Sequence, residues 1–420
     1  MHQKITLDNG LGLITSEMPH TRSVSIVFFI GVGVCYETDA EAGVSHFIEH
    51  LCFKGTPKRQ TSKEISEAIE GIGGVLNGGT DKELTVFWCK VANQHFNRAI
   101  DVLVDLLRNS CFDPKDINRE RQVIIEEINM SLDSPQQRVD MIIDELIWPG
   151  QPLGRDSAGK KECIARLSRE HLLNYFRSHY LPNNTVVSIA GNIDQRKVQT
   201  AIRRYLGTWK EGKSAARFPT RTKQRMPKVH VEKRDTEQVN LCLGVQGLSL
   251  LHPDRFAIDL LSLVLGEGMS SRLFVEIREN QGLAYDIGSC TAHFMDSGAF
   301  FVSAGVEPGR LNDALRSILR ELSKVRKGVL EKELDKAKEL AKGRLLLALE
   351  DSRVVANWFG AQEILTNRIL TIDEVISTID AITTEDLRRV AQQLFIAKKL
   401  NLAVVGPVGN EVQLAKMLKF

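Results

Sequence analysis

The sequence lacks the features that mark membrane, disulfide-bonded and nucleic-acid-binding proteins. No apolar run approaches the ~20 residues that a membrane-spanning helix needs. The seven cysteines are scattered, odd in number and without a Cys-x-x-Cys pair, which argues against a disulfide framework or a thiolate zinc site. The 55 Lys and Arg residues are nearly balanced by 53 Asp and Glu residues. The resulting net charge of +2 does not indicate a basic surface for binding nucleic acid or a membrane.

Targeting signals are also missing from the first residues. The opening MHQKITLDNG carries a charge and an Asn-Gly turn, unlike a secretory signal, and it is not the Arg- and Ser-rich sequence of a transit peptide. Thiols that form no pattern are typical of a reducing compartment. We therefore expect the bacterial cytoplasm as the location of the protein.

Length and internal similarity predict two domains of one fold. The 420 residues exceed the ~100–200 of a usual domain, and the 43% hydrophobic and 26% charged residues are typical of globular proteins. An offset of 215 residues places Val24–Ile30 on Val239–Val245, and Thr185–Gly191 on Leu400–Gly406. All four segments have the apolar pattern of buried strands. We therefore expect a duplicated domain.

The order of elements predicts the fold class and the domain boundaries. In the first half, strands and helices come in groups, which favours α+β domains over strictly alternating α/β domains. We predict two homologous α/β-roll domains, each a mainly antiparallel sheet with helices on one face. The boundaries are 1–212 for the N-terminal domain and 229–420 for the C-terminal domain. Between them, residues 213–228 are rich in cations and contain two prolines, which predicts an exposed linker.

One short helical stretch carries the chemistry. His46 and His50 are four residues apart, so both imidazoles project from one face of a helix and can bind one divalent metal. Glu49 lies beside the pair and can take the proton of a water molecule that a metal has made acidic. This H-x-x-E-H order is a known zinc-peptidase signature. The sequence predicts a metal site with Glu49 as its base.

A third protein ligand is expected, because catalytic zinc sites keep three protein ligands and one open position. The helix predicted near residues 115–132 offers three acids. Glu120 and Glu127 are seven residues apart and share a face, whereas Glu126 is rotated away and is expected to be solvated. Cys52 follows His50 by two residues and points elsewhere.

A resemblance to a known family indicates which acid is the third metal ligand. The segment His46–Thr56 resembles the signature of the pitrilysin family of zinc metallopeptidases, and the chain is similar in size to the short-chain branch that includes the catalytic subunit of the mitochondrial processing peptidase. The resemblance implies one Zn²⁺ per chain, with Glu127 as the third ligand beside His46 and His50. It also implies that Glu120 supports the site. The second half lacks these residues, so the resemblance assigns no metal to it.

Further segments extend the resemblance to substrate binding. Residues 73–80 are similar to the family's edge strand, which implies that Asn77 and Gly78 bind the peptide backbone, although Gly78 replaces an expected Ala and Phe87 an expected Tyr. The second half contains an R…GLAY element. By resemblance, Arg278 holds substrate and Tyr285 lies near the developing oxyanion, where a guanidinium and a phenol are suitable donors.

These features predict a zinc metalloendopeptidase that hydrolyses short or unfolded polypeptides. The resemblance implies a homodimer whose four domains enclose a chamber, with a heterodimer of related subunits as the other arrangement. In such a dimer, the Arg and Tyr of one subunit complete the active site of its partner. The alternatives are a non-catalytic peptide-binding or scaffold subunit of the same fold, and a zinc hydrolase that acts on another substrate.

Overall fold

The computed structural model describes residues 2–420 and contains two β-sheets. The first sheet is formed by six strands: β1 (His2–Thr6), β2 (Gly12–Glu17), β3 (Ser23–Ile30), β4 (Val75–Thr80), β5 (Thr85–Ala92) and β6 (Thr185–Gly191). The second sheet is formed by five strands: β7 (Lys228–Lys233), β8 (Val239–Gln246), β9 (Ala284–His293), β10 (Gly298–Val306) and β11 (Asn401–Gly406).

Fifteen α-helices accompany these strands in the described part of the chain. Those of the first half are α1 (Val44–Cys52), α2 (Ser62–Glu70), α3 (Phe96–Asn109), α4 (Pro114–Asp133), α5 (Pro135–Ile147), α6 (Lys161–Arg166), α7 (Arg169–His179) and α8 (Gln195–Leu206). Those of the second half are α9 (Arg255–Gly266), α10 (Leu311–Val325), α11 (Glu331–Ala348), α12 (Ser352–Thr366), α13 (Ile372–Ala381), α14 (Thr384–Leu394) and α15 (Glu411–Met417).

The two sheets have corresponding topologies. The first has the order β1-β2-β6-β3-β5-β4, and the second has the order β7-β11-β8-β10-β9. Each contains one parallel pair, β2 with β6 and β11 with β7, and all its other pairs are antiparallel. Helices α7 and α14 start 215 residues apart, which is the offset found in the sequence. The structure thus has the predicted mainly antiparallel sheets and agrees with the predicted duplication.

The chain divides into two compact units that are discontinuous in sequence. The first takes in the chain up to Asn129, together with Asp156–Phe218 and Leu347–Ile369. The second comprises Met130–Arg155, Pro219–Leu346 and Leu370–Phe420. Each unit therefore includes a segment from the other half of the sequence. The boundaries at residues 212 and 229 stay a prediction for the two sequence halves.

In the first unit, helices cover both faces of the sheet. Successive residues of a strand point to opposite faces. Phe28 is paired with Phe87, whose ring lies 5.7 Å from that of Phe53 at the end of α1. On the other face, the buried Val27 and Phe29 pack against α12, which comes from the second half of the sequence. The prediction placed helices on one face only, and this additional helix closes the core of the first unit.

The second unit has the same design. Helix α5, from the first half of the sequence, packs on β8 and β11. Gly244 of β8 lies so close to α5 that an added Cβ would be 2.9 Å from side-chain atoms of both Ile143 and Ile147. In residues 2–420, no helix is long and apolar enough to cross a membrane.

The predicted linker has no regular secondary structure before β7 begins at Lys228. It is not uniformly exposed, however. The guanidinium of Arg217 lies 3.4 Å from the carboxylate of the buried Glu83, and the backbone N–H of Phe218 donates to the carbonyl of Cys35 at 2.9 Å. The first part of the linker is therefore fastened to the first unit.

Candidate metal centre

Helix α1 presents the two histidines side by side. The Nε2 atoms of His46 and His50 are 3.1 Å apart, and both side chains are largely buried. The apolar residues Phe47, Ile48 and Leu51 are buried between and beside them, which fixes the orientation of the helix in the core. The predicted i, i+4 pair is thus present on one face of a short helix.

A buried carboxylate holds the start of this helix. The Glu37 side chain accepts from the backbone N–H groups of Gly43 at 2.9 Å and Ser45 at 3.0 Å, and it is fully buried. These N–H groups belong to the first turn of α1, where they have no partner within the helix. A negative charge at this end also interacts favourably with the helix dipole.

Helix α4 brings a carboxylate to the histidine pair. Oε2 of Glu127 lies 3.8 Å from Nε2 of His46 and 3.6 Å from Nε2 of His50. With the 3.1 Å between the two nitrogens, these atoms form a triangle. Ligands of a tetrahedral zinc ion at 2.0–2.1 Å are separated by about 3.3–3.5 Å. The three distances lie within about 0.3 Å of this separation, so small shifts of the side chains would place all three atoms around one zinc ion.

The donor set suits a metal in further ways. The donor atoms of His46, Glu49 and His50 also lie within 4.8 Å of one another. Two Nε2 atoms that face each other at 3.1 Å can both use their lone pairs only if a cation or a shared proton lies between them. Within residues 2–420, the buried Nδ1 atom of His46 has no hydrogen-bond partner. Nitrogen and carboxylate donors in this arrangement fit zinc.

Glu49 is buried beside the triangle. Burial raises the pKa of its carboxyl group to about 7; the nearby His50 opposes this shift, and Glu127 adds to it. A pKa near neutral pH suits a group that must both accept and release a proton during catalysis. Glu49 also touches the sheet, because an added Cβ at Gly78 would lie 2.9 Å from its Oε1 atom.

Glu120 connects His50 to a lysine. Its side chain is only 4% exposed, and its two oxygens lie 3.1 Å from Nδ1 of His50 and 2.8 Å from Nζ of Lys54. Burial disfavours the charged carboxylate, but the hydrogen bonds from His50 and Lys54 outweigh burial and lower its pKa. Burial likewise disfavours the imidazolium of His50, but Glu120 and the other carboxylates raise its pKa.

His46 has the opposite electrostatic environment. Burial, followed by the neighbouring His50, lowers its pKa to about 4. The imidazole is therefore neutral at physiological pH, the form in which histidine binds a metal.

The geometry of helix α4 also explains why Glu126 is not a metal ligand. Its side chain is exposed and accepts from the side chain of Asn129 at 3.2 Å.

The predicted substrate residues of the first half lie on β4. This strand is the last in its sheet, and in the described part of the chain only β5 pairs with it. Gly78 faces Phe87 of β5, and the side-chain oxygen of Asn77 accepts from the backbone N–H of Gly78 at 2.8 Å. The edge of β4 that lies away from β5 can take another strand.

Arg278 and Tyr285 lie together in the second unit. The Arg278 guanidinium is 4.7 Å from the ring centre of Phe274 and 5.2 Å from that of Tyr285. Arg278 belongs to a wide helical segment, Phe274–Asn280, with π-type hydrogen bonding. Tyr285 is 76% exposed at the start of β9. The structure thus pairs these two residues, and their functional roles stay predictions.

Two residues of this centre, Glu37 and Lys54, were not predicted from the sequence. Lys54 follows His50 by four residues, so helical spacing places the two near each other, but its partner Glu120 comes from a distant helix. Glu37 lies between two short 3₁₀ turns, outside α1, and matches no standard capping pattern. Neither contact has a local sequence signal.

Comparison with known proteins identifies the family. Residues 13–161 match the family described as "Insulinase (Peptidase family M16)", and residues 166–340 match "Peptidase M16 inactive domain". An uncharacterised zinc protease of Bacillus subtilis, YmxG, is 35% identical over 98% of this chain and 99% of its own length. A second one, from Streptomyces coelicolor, is 35% identical over 97% of this chain and 90% of its own length. These names and the donor cluster confirm the predicted zinc cofactor.

Solved structures confirm the fold class. A protease from Helicobacter pylori has a TM-score of 0.91 at 24% identity, covering 97% of this chain and 99% of that one. A peptidase M16 inactive domain from Pseudomonas fluorescens has a TM-score of 0.90 at 17% identity, covering 98% and 99%. At these identities the structures show the fold, whereas the curated relatives show the family. The protein belongs to peptidase family M16, the zinc-protease family that the pitrilysin resemblance predicted.

Proposed function

We propose that this protein is a zinc endopeptidase that hydrolyses short or unfolded polypeptides. One observation carries the proposal: the buried carboxylate of Glu49 lies close both to the His46 and His50 donors of the triangle and to Gly78 on the edge strand β4. This proximity supports the proposal, because it would bring a bound metal, a proton acceptor and a peptide on the edge strand close together. These are the parts that metal-assisted hydrolysis of an amide bond requires.

Different side chains of the site would bind the metal, transfer the proton and orient a ligand. His46, His50 and Glu127 would hold the zinc ion, which when bound supplies the Lewis acidity that lowers the pKa of a water molecule. The Glu49 carboxylate takes a proton from the attacking water and delivers it to the nitrogen of the leaving amine. Glu120 accepts a hydrogen bond from Nδ1 of His50, which would leave the lone pair of Nε2 available to hold the zinc ion.

The substrate would bind as an extended strand. The outer edge of β4 offers backbone N–H and C=O groups to a peptide, which gives affinity through main-chain hydrogen bonds. Asn77 and Gly78 lie on this strand, and Gly78 contacts the side chain of Glu49. Because main-chain pairing does not depend on side chains, we expect limited sequence selectivity and a preference for unfolded substrates.

The decisive experiment compares three variants with the wild type on an unstructured peptide of roughly 15–30 residues, long enough at about 3.3 Å per residue to cross the site. Cleavage is detected by mass spectrometry, and zinc content is measured on the same samples. Glu49→Gln is expected to keep its zinc and lose cleavage. Glu127→Gln is expected to lose both, and the exposed neighbour Glu126→Gln is expected to lose neither.

Other outcomes point to other functions. Equal cleavage by wild type and Glu49→Gln would contradict the proposed mechanism. Absence of cleavage by wild type that retains zinc would favour the non-catalytic peptide-binding or scaffold subunit, or a zinc hydrolase of another substrate. If Glu127→Gln retained zinc while Glu49→Gln lost it, Glu49 would be the third ligand.

We also propose that the active enzyme is a homodimer in which Arg278 and Tyr285 complete the active site of the partner. The support is that both side chains line one open pocket of about 600 Å³ in the second unit, which lacks the metal residues. Light scattering on the active protein should give twice the mass of the 47.0 kDa chain. A fully active monomer would contradict the proposal, and a zinc-loaded inactive protein would indicate a heterodimer with a related subunit.

The cytoplasm is the location that we propose. Its support is that all seven cysteines are free, four of them buried, as expected for a protein that folds in a reducing compartment. Fractionation of the source cells is expected to place the protein with cytoplasmic markers. Its recovery with the envelope or the medium would contradict this location.

A further inference from the structure

Lys54 lies just beyond the C-terminal end of the metal helix. Its backbone N–H donates to the carbonyl of Leu51 at 3.1 Å, which continues the last turn of α1. Its Nζ atom lies 2.8 Å from Oε1 of Glu120, and its side chain is 27% exposed. The lysine is therefore directed back along the helix toward α4 and away from open solvent.

Both oxygens of Glu120 are used. Oε1 interacts with Lys54, whereas Oε2 lies 3.1 Å from Nδ1 of His50. The two donors come from the same helix, and the carboxylate that joins them comes from α4. Because this carboxylate is almost fully buried, each of its oxygens needs a donor, and loss of one leaves a costly unpaired atom.

We propose that Lys54 is a positioning residue of the metal centre that acts through Glu120. By holding Oε1, the ammonium group fixes the rotation of the carboxylate so that Oε2 is directed at Nδ1 of His50. That hydrogen bond keeps the proton of His50 on Nδ1, so that the lone pair of Nε2 would be available to the metal. The inference rests on the zinc site described under the proposed function and adds a residue to it.

Two other roles for Lys54 make different predictions. A surface ion pair contributes little, and its removal would not change zinc binding. A cation that acts directly on the metal would repel it, so its removal would tighten zinc binding. Action through Glu120 alone predicts that substitution of Lys54 weakens zinc binding. It also predicts that the same substitution has no further effect on zinc binding when Glu120 is already substituted.

The test measures the Kd for zinc by competition with a chelator, without any peptide substrate. Lys54→Met is expected to weaken zinc binding about tenfold, within the range found when a partner of a metal ligand is lost. Lys54→Arg, which restores a charged donor, is expected to remain within about threefold of wild type. The control Lys63→Met changes an exposed lysine that pairs with Glu67 on α2 and is expected to have no effect.

A double-mutant cycle gives the decisive comparison. Glu120→Gln alone should weaken zinc binding to a similar extent, and adding Lys54→Met to it should cause less than a twofold further change, because residues in one network are not additive. Unchanged or tighter binding by Lys54→Met, or a full additional loss in the Glu120→Gln background, would overturn the proposal. The thermal midpoints of the metal-free variants show whether any loss reflects unfolding.

The outcome is separable from the fate of the peptidase proposal. If the wild type binds zinc with the expected pattern among variants but cleaves no peptide, Lys54 retains its assigned role and the peptidase function fails. If the wild type cleaves peptide but Lys54→Met binds zinc as the wild type does, only the role of Lys54 fails. A wild type that binds no zinc would overturn both.

Discussion

Gly78 allows the sheet to approach the base of the metal centre. A methyl group in place of its hydrogen would lie 2.9 Å from Oε1 of Glu49 and 3.0 Å from Cε2 of Phe53. Both distances are shorter than ordinary van der Waals contact, so one of these side chains would have to move. The position of the Glu49 carboxylate therefore depends on the absence of a side chain on β4.

This contact predicts the effect of Gly78→Ala. The carboxylate of Glu49 should be displaced by a few tenths of an ångström, and kcat should fall roughly tenfold, since small misplacements of a catalytic group are costly. Zinc content should not change, because the metal-binding atoms are elsewhere. Peptide-cleavage kinetics with measured zinc content provide the test.

The neighbouring glycine provides a matched control. An added Cβ at Gly79 would have no atom within 4 Å, so Gly79→Ala should leave kcat unchanged. Equal kcat values for the two variants would show that the Glu49 carboxylate does not depend on the space at Gly78.

Single residues differ in how far they could be predicted. His46, Glu49 and His50 lie within one helical turn, so spacing alone places them together. Glu127 and Glu120 could be related to each other by their shared helix face, but only the family resemblance related them to the histidines. Lys54 escaped prediction because its role depends on which carboxylate α4 brings to it.

At the scale of elements, the start of α1 is held from outside the helix. Glu37 replaces the usual N-cap side chain by accepting from two N–H groups of the first turn. The neighbouring α2 uses a standard cap, because the hydroxyl of Thr61 accepts from the backbone N–H of Glu64, as is typical of a Thr three residues before a Glu. Local capping rules therefore account for the start of α2 but not for the start of α1.

The cap at Glu37 predicts a loss of stability in Glu37→Gln. An amide has one acceptor oxygen in place of two and carries no charge, so one buried N–H group loses its partner. Hydrogen bonds to charged groups contribute about 1.5–3 kcal/mol, and we expect a loss of this size. The thermal midpoint should fall clearly, and zinc binding should weaken with it.

A second acid near the same segment serves as the control. Glu41 caps an exposed turn by accepting from Thr38, so Glu41→Gln should lower the midpoint much less. If the two variants unfold at the same temperature, the charge on Glu37 has no special role in holding α1.

In the second unit, one histidine predicts a pH dependence of stability. Nε2 of His293 lies 3.0 Å from Asp259, and Nδ1 lies 2.7 Å from the carbonyl oxygen of Leu248. Burial and Arg255 disfavour the imidazolium, but the Asp259 carboxylate outweighs them and raises its pKa above 6.5. The folded state therefore binds this proton more tightly than the unfolded state does.

The sign of the effect follows from linkage. Stability from this pair is fully present below pH 6.5 and is lost as the pH rises through the raised folded-state pKa. Because Asp259 is partly exposed, we expect only about 1 kcal/mol. The thermal midpoint of wild type should exceed that of His293→Gln by more at pH 6 than at pH 9, and an equal difference at both would contradict the prediction.

For the molecule as a whole, the positions of the strands along the chain were more predictable than the pairing of helices with sheets. The strands β3 and β8 and the order of elements follow from apolar patterns and the offset of 215 residues. Periodicity shows which face of a helix is apolar, but not which sheet will cover it. For this reason the sequence did not predict that α12 belongs to the first unit, or α5 to the second.

This arrangement predicts that the predicted N-terminal domain, residues 1–212, does not fold alone. Without α12, the face of the first sheet that carries Val27 and Phe29 is exposed to water, and the fragment should aggregate or bind hydrophobic dyes. Fusing residues 347–369 to it should restore a cooperative thermal transition. The same fusion with Gly360→Ala should not, because the added Cβ would lie 2.9 Å from the Cβ of Ser188 and closer still to the ring of Phe29. A monomeric 1–212 fragment that unfolds cooperatively would show that the first sheet is stable without its second layer of helix.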